Sequence, residues 1–249
     1  MPKFETLSAD THSALTIDES KLASTYSKFH LLNIEIKEAV QASSDFPLFF
    51  SKSSEAQYWT ISALCGLAPQ ENVFETQGTW LGHYTPLSLR TLPFIVRLGN
   101  DAQQQEVLVD VDSPAVSSQN GEALFLSSKR PTAYLDNKKK LLDERVTAMQ
   151  QTAVMMNQIS EMGLIHSVDL IIEFKDNTSQ RVGGLATVNE QRLQNLTADE
   201  LANLNQKGLL NVLFNILGSI LQVNRVIRLH NTKFPDRAVN NIKFETSKS

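Results

Sequence analysis

Residues 167–188, SVDLIIEFKDNTSQRVGGLATV, constrain the fold more than any other stretch of the 249-residue chain. Val168, Leu170, Ile172 and Phe174 alternate with Asp169, Ile171, Glu173 and Lys175, the two-residue period of a half-buried strand. Asp176-Asn177 follows, and both residue types tolerate the backbone of a tight hairpin turn. The stretch predicts an antiparallel hairpin. Gly183-Gly184 falls in the return strand, where paired glycines predict a bulge or a close backbone approach. They do not form a phosphate loop: no Lys-Ser or Lys-Thr follows, and the third glycine of a dinucleotide fingerprint is missing.

One hairpin cannot bury its own apolar face, so further strands and helices must cover it. His30–Ile36 reads as a strand leading into a short helix that ends before Asp45-Phe46-Pro47, because the residue before proline is pushed out of the helical region. PLFFS begins another strand, with Tyr58–Leu64 as its hairpin partner across a loop at Lys52–Glu55. LPFIVRLG and EVLVDVD form a pair joined by GNDAQQQ. A helix is expected from Asp136 to about Gly163, with Leu142, Val146, Met149, Ala153 and Met156 on one face. Thr197 and Glu200 have capping-box spacing. After Gly208 a long helix runs from Leu209 to about Asn231, with Leu210, Leu213, Leu217, Ile220, Asn224 and Ile227 on one seam. A second row holds Leu209, Val212, Ile216 and Val223. Two apolar rows predict that one meets the Leu142–Met156 helix or another subunit, and Asn224 on the seam points to a homodimer through the 209–231 helix. The fold expected is α+β: a mainly antiparallel sheet, helices packed on one face, and a helical C-terminal part. It reads as a single domain over 1–231, with an N-terminal arm at 1–27 and a polar C-terminal tail at 232–249.

A formal charge of −4 gives no electrostatic reason to expect nucleic acid or an anionic membrane. The short run Lys138-Lys139-Lys140 reads as a solvated helix start. The one cysteine, Cys65, excludes an internal disulfide and lies in an apolar setting with no adjacent cation, as a buried hydrophobe would. The N-terminus has no apolar core of a secretory signal, and Leu209–Leu221 is interrupted by Asn211, Asn215, Gly218 and Ser219, so no membrane span is expected. A cytoplasmic protein follows. His12, His30, His166 and His230 show no ligand spacing, and Asp110 with Asp112 lacks a third ligand, so neither a metal nor any other cofactor is expected.

The stretch that concentrates chemistry is NVFETQGTWLGHYTPLSLRTLPFIVR, from Asn72 to Arg97. Its combination of Asn72, Phe74, Trp80, Tyr84, Pro86, Arg90, Pro93 and Phe94 resembles the core motif of the SapC-like family, bacterial proteins named for an association with surface-layer gene clusters. LSADTHSAL, FPLFF and GGLATVNEQRLQNLTADELANLNQKGLL resemble that family as well. The family's tyrosine-proline after the arginine is here Leu92-Pro93. The resemblance carries no reaction, cofactor or catalytic residue. It implies an accessory role beside cupin-type hydroxylases, flavin-dependent halogenases or TonB-dependent receptors.

From the residues alone, Asn72, Trp80, His83, Tyr84 and Arg90 are the candidates for binding a ligand or partner. Trp80 and Tyr84 are suited to stacking a planar or sugar-like group, with Arg90 pairing a carboxylate or phosphate. The competing reading makes Trp80 and Phe94 core anchors and aims Arg90 inward at a buried carbonyl or carboxylate. Two functions follow. The first is a non-enzymatic binding or accessory protein presenting this surface to a peptide, a glycan or a partner enzyme, with a protein or small-molecule partner. The second is an enzyme using His83 as general base with Arg90 and Glu38. No nucleophile elbow surrounds Ser88, which favours the first.

Overall fold

The computed structural model describes residues 2–52, 58–98 and 105–247. The loop expected at Lys52–Glu55 and the turn GNDAQQQ fall largely outside the described residues. The chain forms two compact units. The first comprises Met1–Ser27, Glu75–Leu81 and Leu87–Thr147; the second comprises Lys28–Phe74, Gly82–Pro86 and Ala148–Ser249. The arm at 1–27 therefore belongs to a unit of its own making with later residues.

The second unit is built on a six-stranded sheet. Its strands are β1 (Leu31–Ile34), β2 (Leu48–Lys52), β3 (Trp59–Leu64), β4 (Ile165–Phe174), β5 (Ser179–Val188) and β6 (Val239–Thr246). They lie in the order β6-β4-β5-β2-β3-β1, and each pair is antiparallel. The fold is α+β. The 167–188 hairpin forms as expected, its register running from Ile165 opposite Val188 to Glu173 opposite Ser179. Its turn places Asn177 at φ 66°, and the Asp176 carboxylate accepts from the Thr178 amide and hydroxyl. The glycine pair is a bulge. The register shifts between Val168 and Leu170, and a Cβ on Gly183 would stand 3.3 Å from Asp169 Oδ1. That space admits the buried Asp169 carboxylate, which pairs with Arg181.

Four helices follow the hairpin: Glu190–Gln194, Ala198–Gln206, Leu209–Ser219 and Val223–Lys233. The capping box at Thr197 and Glu200 is present, and Gly208 takes a left-handed conformation that re-aims the chain. The last two helices join through a 3₁₀ turn at Ile220–Gln222. The Leu209–Ser219 helix packs on β2 and β5, where Ser219 Oγ accepts from the Leu48 amide at 2.9 Å. The row Leu209, Val212, Ile216 and Val223 is buried within this unit, as is Leu213. Leu210, Leu217, Ile220 and Ile227 are half-buried. Asn224 is exposed rather than set in an apolar seam, and its amide donates to the Leu221 carbonyl. Counted through Lys233, the helix has 25 residues and a window of mean hydropathy 1.4. By length and composition alone it could cross a membrane; one third of that window is buried within the protein.

The polar tail is a correction. The helix continues to Lys233, and residues 239–246 return as edge strand β6 along β4. Val239, Ile242 and Phe244 give this polar segment an apolar set, and Phe244 packs 5.9 Å from the Phe49 ring.

In the first unit the N-terminal residues supply strands to two small sheets. Phe4–Thr6 pairs with Gln105–Asp110, which pairs in turn with Phe94–Leu98. Thr16–Ile17 lies between Val116–Ser117 and Glu122–Ala123. Gly121 permits that crossing: it sits at φ 111°, and a Cβ there would be 2.3 Å from the Ile17 carbonyl oxygen. The helix Ala133–Glu161 begins three residues earlier than expected, because Thr132 Oγ1 caps it by accepting from the Leu135 amide. Residues 133–147 belong to the first unit and the rest to the second. Leu142, Val146 and Met156 are buried as predicted, but Met149 is exposed. Lys138 also departs from expectation. It is buried, because its ammonium bonds the Glu19 carboxylate at 2.8 Å and the Arg90 carbonyl at 2.9 Å.

Candidate functional site

The chemistry-bearing stretch is divided. Asn72, His83 and Tyr84 belong to the second unit, Trp80 and Arg90 to the first.

In the second unit the organising group is Asp45, whose side chain is 2% exposed. It ends the short helix Ala39–Ala42 and the turn after it, directly before Phe46-Pro47. One oxygen accepts from the Tyr84 amide at 2.6 Å. The other accepts from His83 Nδ1 at 3.0 Å and from Arg225. Burial pushes the Asp45 carboxyl up, but the Tyr84 amide, His83 and Arg225 outweigh it and hold the group below the usual carboxylate range. Tyr84 turns its hydroxyl onto buried Glu38, donating to Oε1 at 2.6 Å. Glu38 Oε2 in turn accepts from the Glu35 amide. The Tyr84 ring is thus fixed at both ends. The His83 ring, by contrast, is 87% exposed while tethered to a buried carboxylate. Because an ionised carboxylate only accepts, Nδ1 is the donor in this bond. Among the described residues Nε2 makes no hydrogen bond.

Arg225 is held on two sides. Its guanidinium lies 5.2 Å from the centre of the Phe74 ring, and Phe74 meets Phe46 edge-on at 4.7 Å. Two further basic side chains of the same helix, His230 and Lys233, hold the segment that precedes Phe74. His230, 1% exposed, places Nδ1 2.8 Å from Glu71 and Nε2 3.0 Å from the Arg237 carbonyl. Lys233 donates to the Asn72 carbonyl at 2.9 Å. Asn72 itself is 1% exposed and accepts from the Phe74 amide at 2.9 Å, closing a turn. It shapes backbone and offers no ligand surface. Asp45, Arg225, Glu71 and His230 are absent from the sequence-derived candidates. One signal could have found Arg225: it is the first charge after sixteen uncharged residues, Leu209–Asn224.

In the first unit Trp80 is half-buried and meets the Tyr26 ring edge-on, centroids 5.7 Å apart. Tyr26 donates to the Leu89 carbonyl, and burial, reinforced by Glu19, pushes its hydroxyl up to about 12. Phe94 is fully buried, an anchor of the core. Arg90 does not aim inward. Its side chain is exposed at the end of the short helix Leu87–Arg90, and only its carbonyl is used, by Lys138. Within this unit it is Arg145 that reaches Thr91, at 3.0 Å.

The described residues also form an open groove in the second unit, lined by Glu190, Leu193, Gln194, Leu201, Phe214 and Leu217. A second, smaller hollow is lined by Asn33, Glu35, Tyr58, Thr60, Met149 and Thr152.

An α+β protein of open antiparallel sheets, with His83, Tyr84 and Arg225 drawn onto the buried carboxylates Asp45 and Glu38, is the class these features define. The chain belongs to the SapC family, whose model matches residues 7–226. No curated protein and no solved structure matches it.

Proposed function

We propose that this SapC-family protein works by binding, as an accessory that offers the exposed face of its C-terminal helix to a protein partner. One observation carries the reading. Leu209–Asn224 holds no charged residue, yet Phe214 is 59% and Leu221 75% exposed. Large apolar side chains clustered on one helix face favour a covering surface, since each Å² removed from water contributes about 25 cal/mol. The adjoining groove extends the apolar area through Leu193 and Leu201, which suits an apolar side chain of a protein better than a glycan. Asn72, Trp80 and Tyr84 serve as the frame. The cytoplasmic enzyme systems implied by the family resemblance, cupin hydroxylases and halogenases among them, or a TonB-dependent receptor system, are where such an accessory would act. The test is complementation of a deletion in the native host. Phe214→Glu and Leu221→Glu should fail to complement at wild-type protein levels, while His83→Ala complements.

The opposite pattern supports a second reading, which the Asp45–His83 pair specifically favours. A buried carboxylate holding Nδ1 and a ring that is otherwise open to solvent is the arrangement of a general base. On this reading the protein is an enzyme, with His83 as base and Asp45 as its positioning residue. Loss of function in His83→Ala with Phe214→Glu unaffected would replace the accessory reading with this one.

A further inference from the structure

Building on the accessory reading, we infer that the partner on this helix face is a second copy of the chain, packed antiparallel about a two-fold axis at the Leu217–Gly218 junction. The exposed residues Asn211, Phe214, Gly218, Leu221 and Asn224 are spaced by three or four and share one helix face. Reflected about the point between residues 217 and 218, Asn211 exchanges with Asn224, and Phe214 with Leu221. A two-fold contact imposes that exchange, since residue i meets j and j meets i. Phe214 of each copy would therefore lie on Leu221 of the other.

Three details fit this occupant. The stripe meets its own copy without like charges, because Leu209–Asn224 is uncharged. The two asparagines are complementary in their unused groups. Asn211 Oδ1 is taken by Asn215 Nδ2 at 2.9 Å, leaving its own Nδ2 to donate. Asn224 Nδ2 is taken by the Leu221 carbonyl, leaving its Oδ1 to accept. Finally, Gly218 stands at the crossing. A glycine inside a helix costs stability, and nothing within the chain lies within 4 Å of where its Cβ would be, so internal packing does not demand it. Close approach of a second helix does. A helix lying on a membrane surface would draw on Lys and Arg along its polar side; here Arg225 is committed to Asp45, and Arg228 stands beyond the stripe.

The experiment uses the full chain, with sedimentation velocity across a concentration series and cysteine cross-linking in parallel. The mass of two chains is expected, with dissociation at least about tenfold easier in Gly218→Leu and in Phe214→Glu. Circular dichroism of both variants should match that of the parent, showing that the helix content is kept. Under mild oxidation Gly218→Cys should cross-link. Asn211→Cys and Asn224→Cys should do so when mixed and not when separate. Native Cys65 is buried and does not interfere. A single-chain mass at every concentration overturns the inference while leaving the accessory reading to its complementation test. A two-chain mass that Gly218→Leu does not weaken, or cross-linking without the 211–224 preference, overturns it too. So does a monomer that floats with phosphatidylcholine–phosphatidylglycerol vesicles and loses this in Phe214→Glu, which would assign the face to a membrane.

Discussion

Replacing Arg225 with Met removes the cationic partner of a carboxylate that is 2% exposed, together with the guanidinium over the Phe74 ring. Breaking a buried ion pair from one side costs about 3–5 kcal/mol. The Tyr84 amide and His83 continue to hold Asp45, so the lower end applies, with the lost guanidinium–ring contact included: about 3 kcal/mol. For a chain of this size that is a fall in melting temperature of about 6–12 °C. The two tryptophans make the assay specific, because Trp59 lies in the second unit and Trp80 in the first. Urea unfolding followed by Trp59 fluorescence in a Trp80→Phe background reads the unit that contains Asp45. The dependence on pH has a definite sign. The folded Asp45 carboxyl is held below its ordinary value, so its contribution is present above the unfolded value, about 3.9, and is lost as pH falls through the folded value. The gap between parent and variant should therefore be full at pH 7 and shrink below about pH 4. Asp45→Asn added to Arg225→Met should cost less than the two changes summed. A gap below about 1 kcal/mol at pH 7, or one that persists unchanged at pH 3, would refute the buried-pair argument.

Gly66→Ala places a methyl 2.0 Å from the Glu71 carbonyl oxygen, a backbone atom that cannot swing away; about 3 kcal/mol of destabilisation is expected by urea titration. Thr197→Ala breaks a capping box in which both halves are formed, and should cost about 1 kcal/mol in the same assay. Burial pushes the Cys65 thiol well above its ordinary range. An aromatic disulfide reagent at pH 8 should therefore release almost no chromophore from the folded protein and one full equivalent once urea is added.

The elements legible in the sequence are those whose signal is local. The 167–188 hairpin is announced by a two-residue period, a turn dipeptide and a glycine pair, all within 22 residues, and each feature formed where expected. The Thr197–Glu200 box is equally short-ranged. What failed depended on distant partners. The segment 239–246 reads as polar because an edge strand exposes most of its side chains, five of its eight residues being Asn, Lys, Glu or Thr. Its pairing with β4 rests on backbone hydrogen bonds that composition does not reveal. Lys138 reads as solvated because its two acceptors, Glu19 and the Arg90 carbonyl, lie far away in sequence.

The same distinction explains the site. Asn72, His83 and Tyr84 stood out because aromatic and polar residues are dense there, and density is local. Their partners are not: Arg225 is 180 residues from Asp45, His230 is 159 from Glu71, and Lys233 is 161 from Asn72. All three basic side chains come from the C-terminal helix: Arg225 and His230 from the stretch read for its apolar rows and Asn224, and Lys233 from just beyond it, in the expected tail. An arginine was indeed required beside the aromatic cluster, since Phe74 and a buried carboxylate make a place for one. The nearest arginine in sequence, Arg90, was the natural choice, and the fold supplies Arg225 instead. Once Arg225, His230 and Lys233 are committed to Asp45, Glu71 and Asn72, one side of the helix is anchored to the 45–74 region of the chain. The exposed stripe Asn211, Phe214, Gly218, Leu221 and Asn224 carries no charge and holds two large apolar side chains, and that is the reason function is sought there.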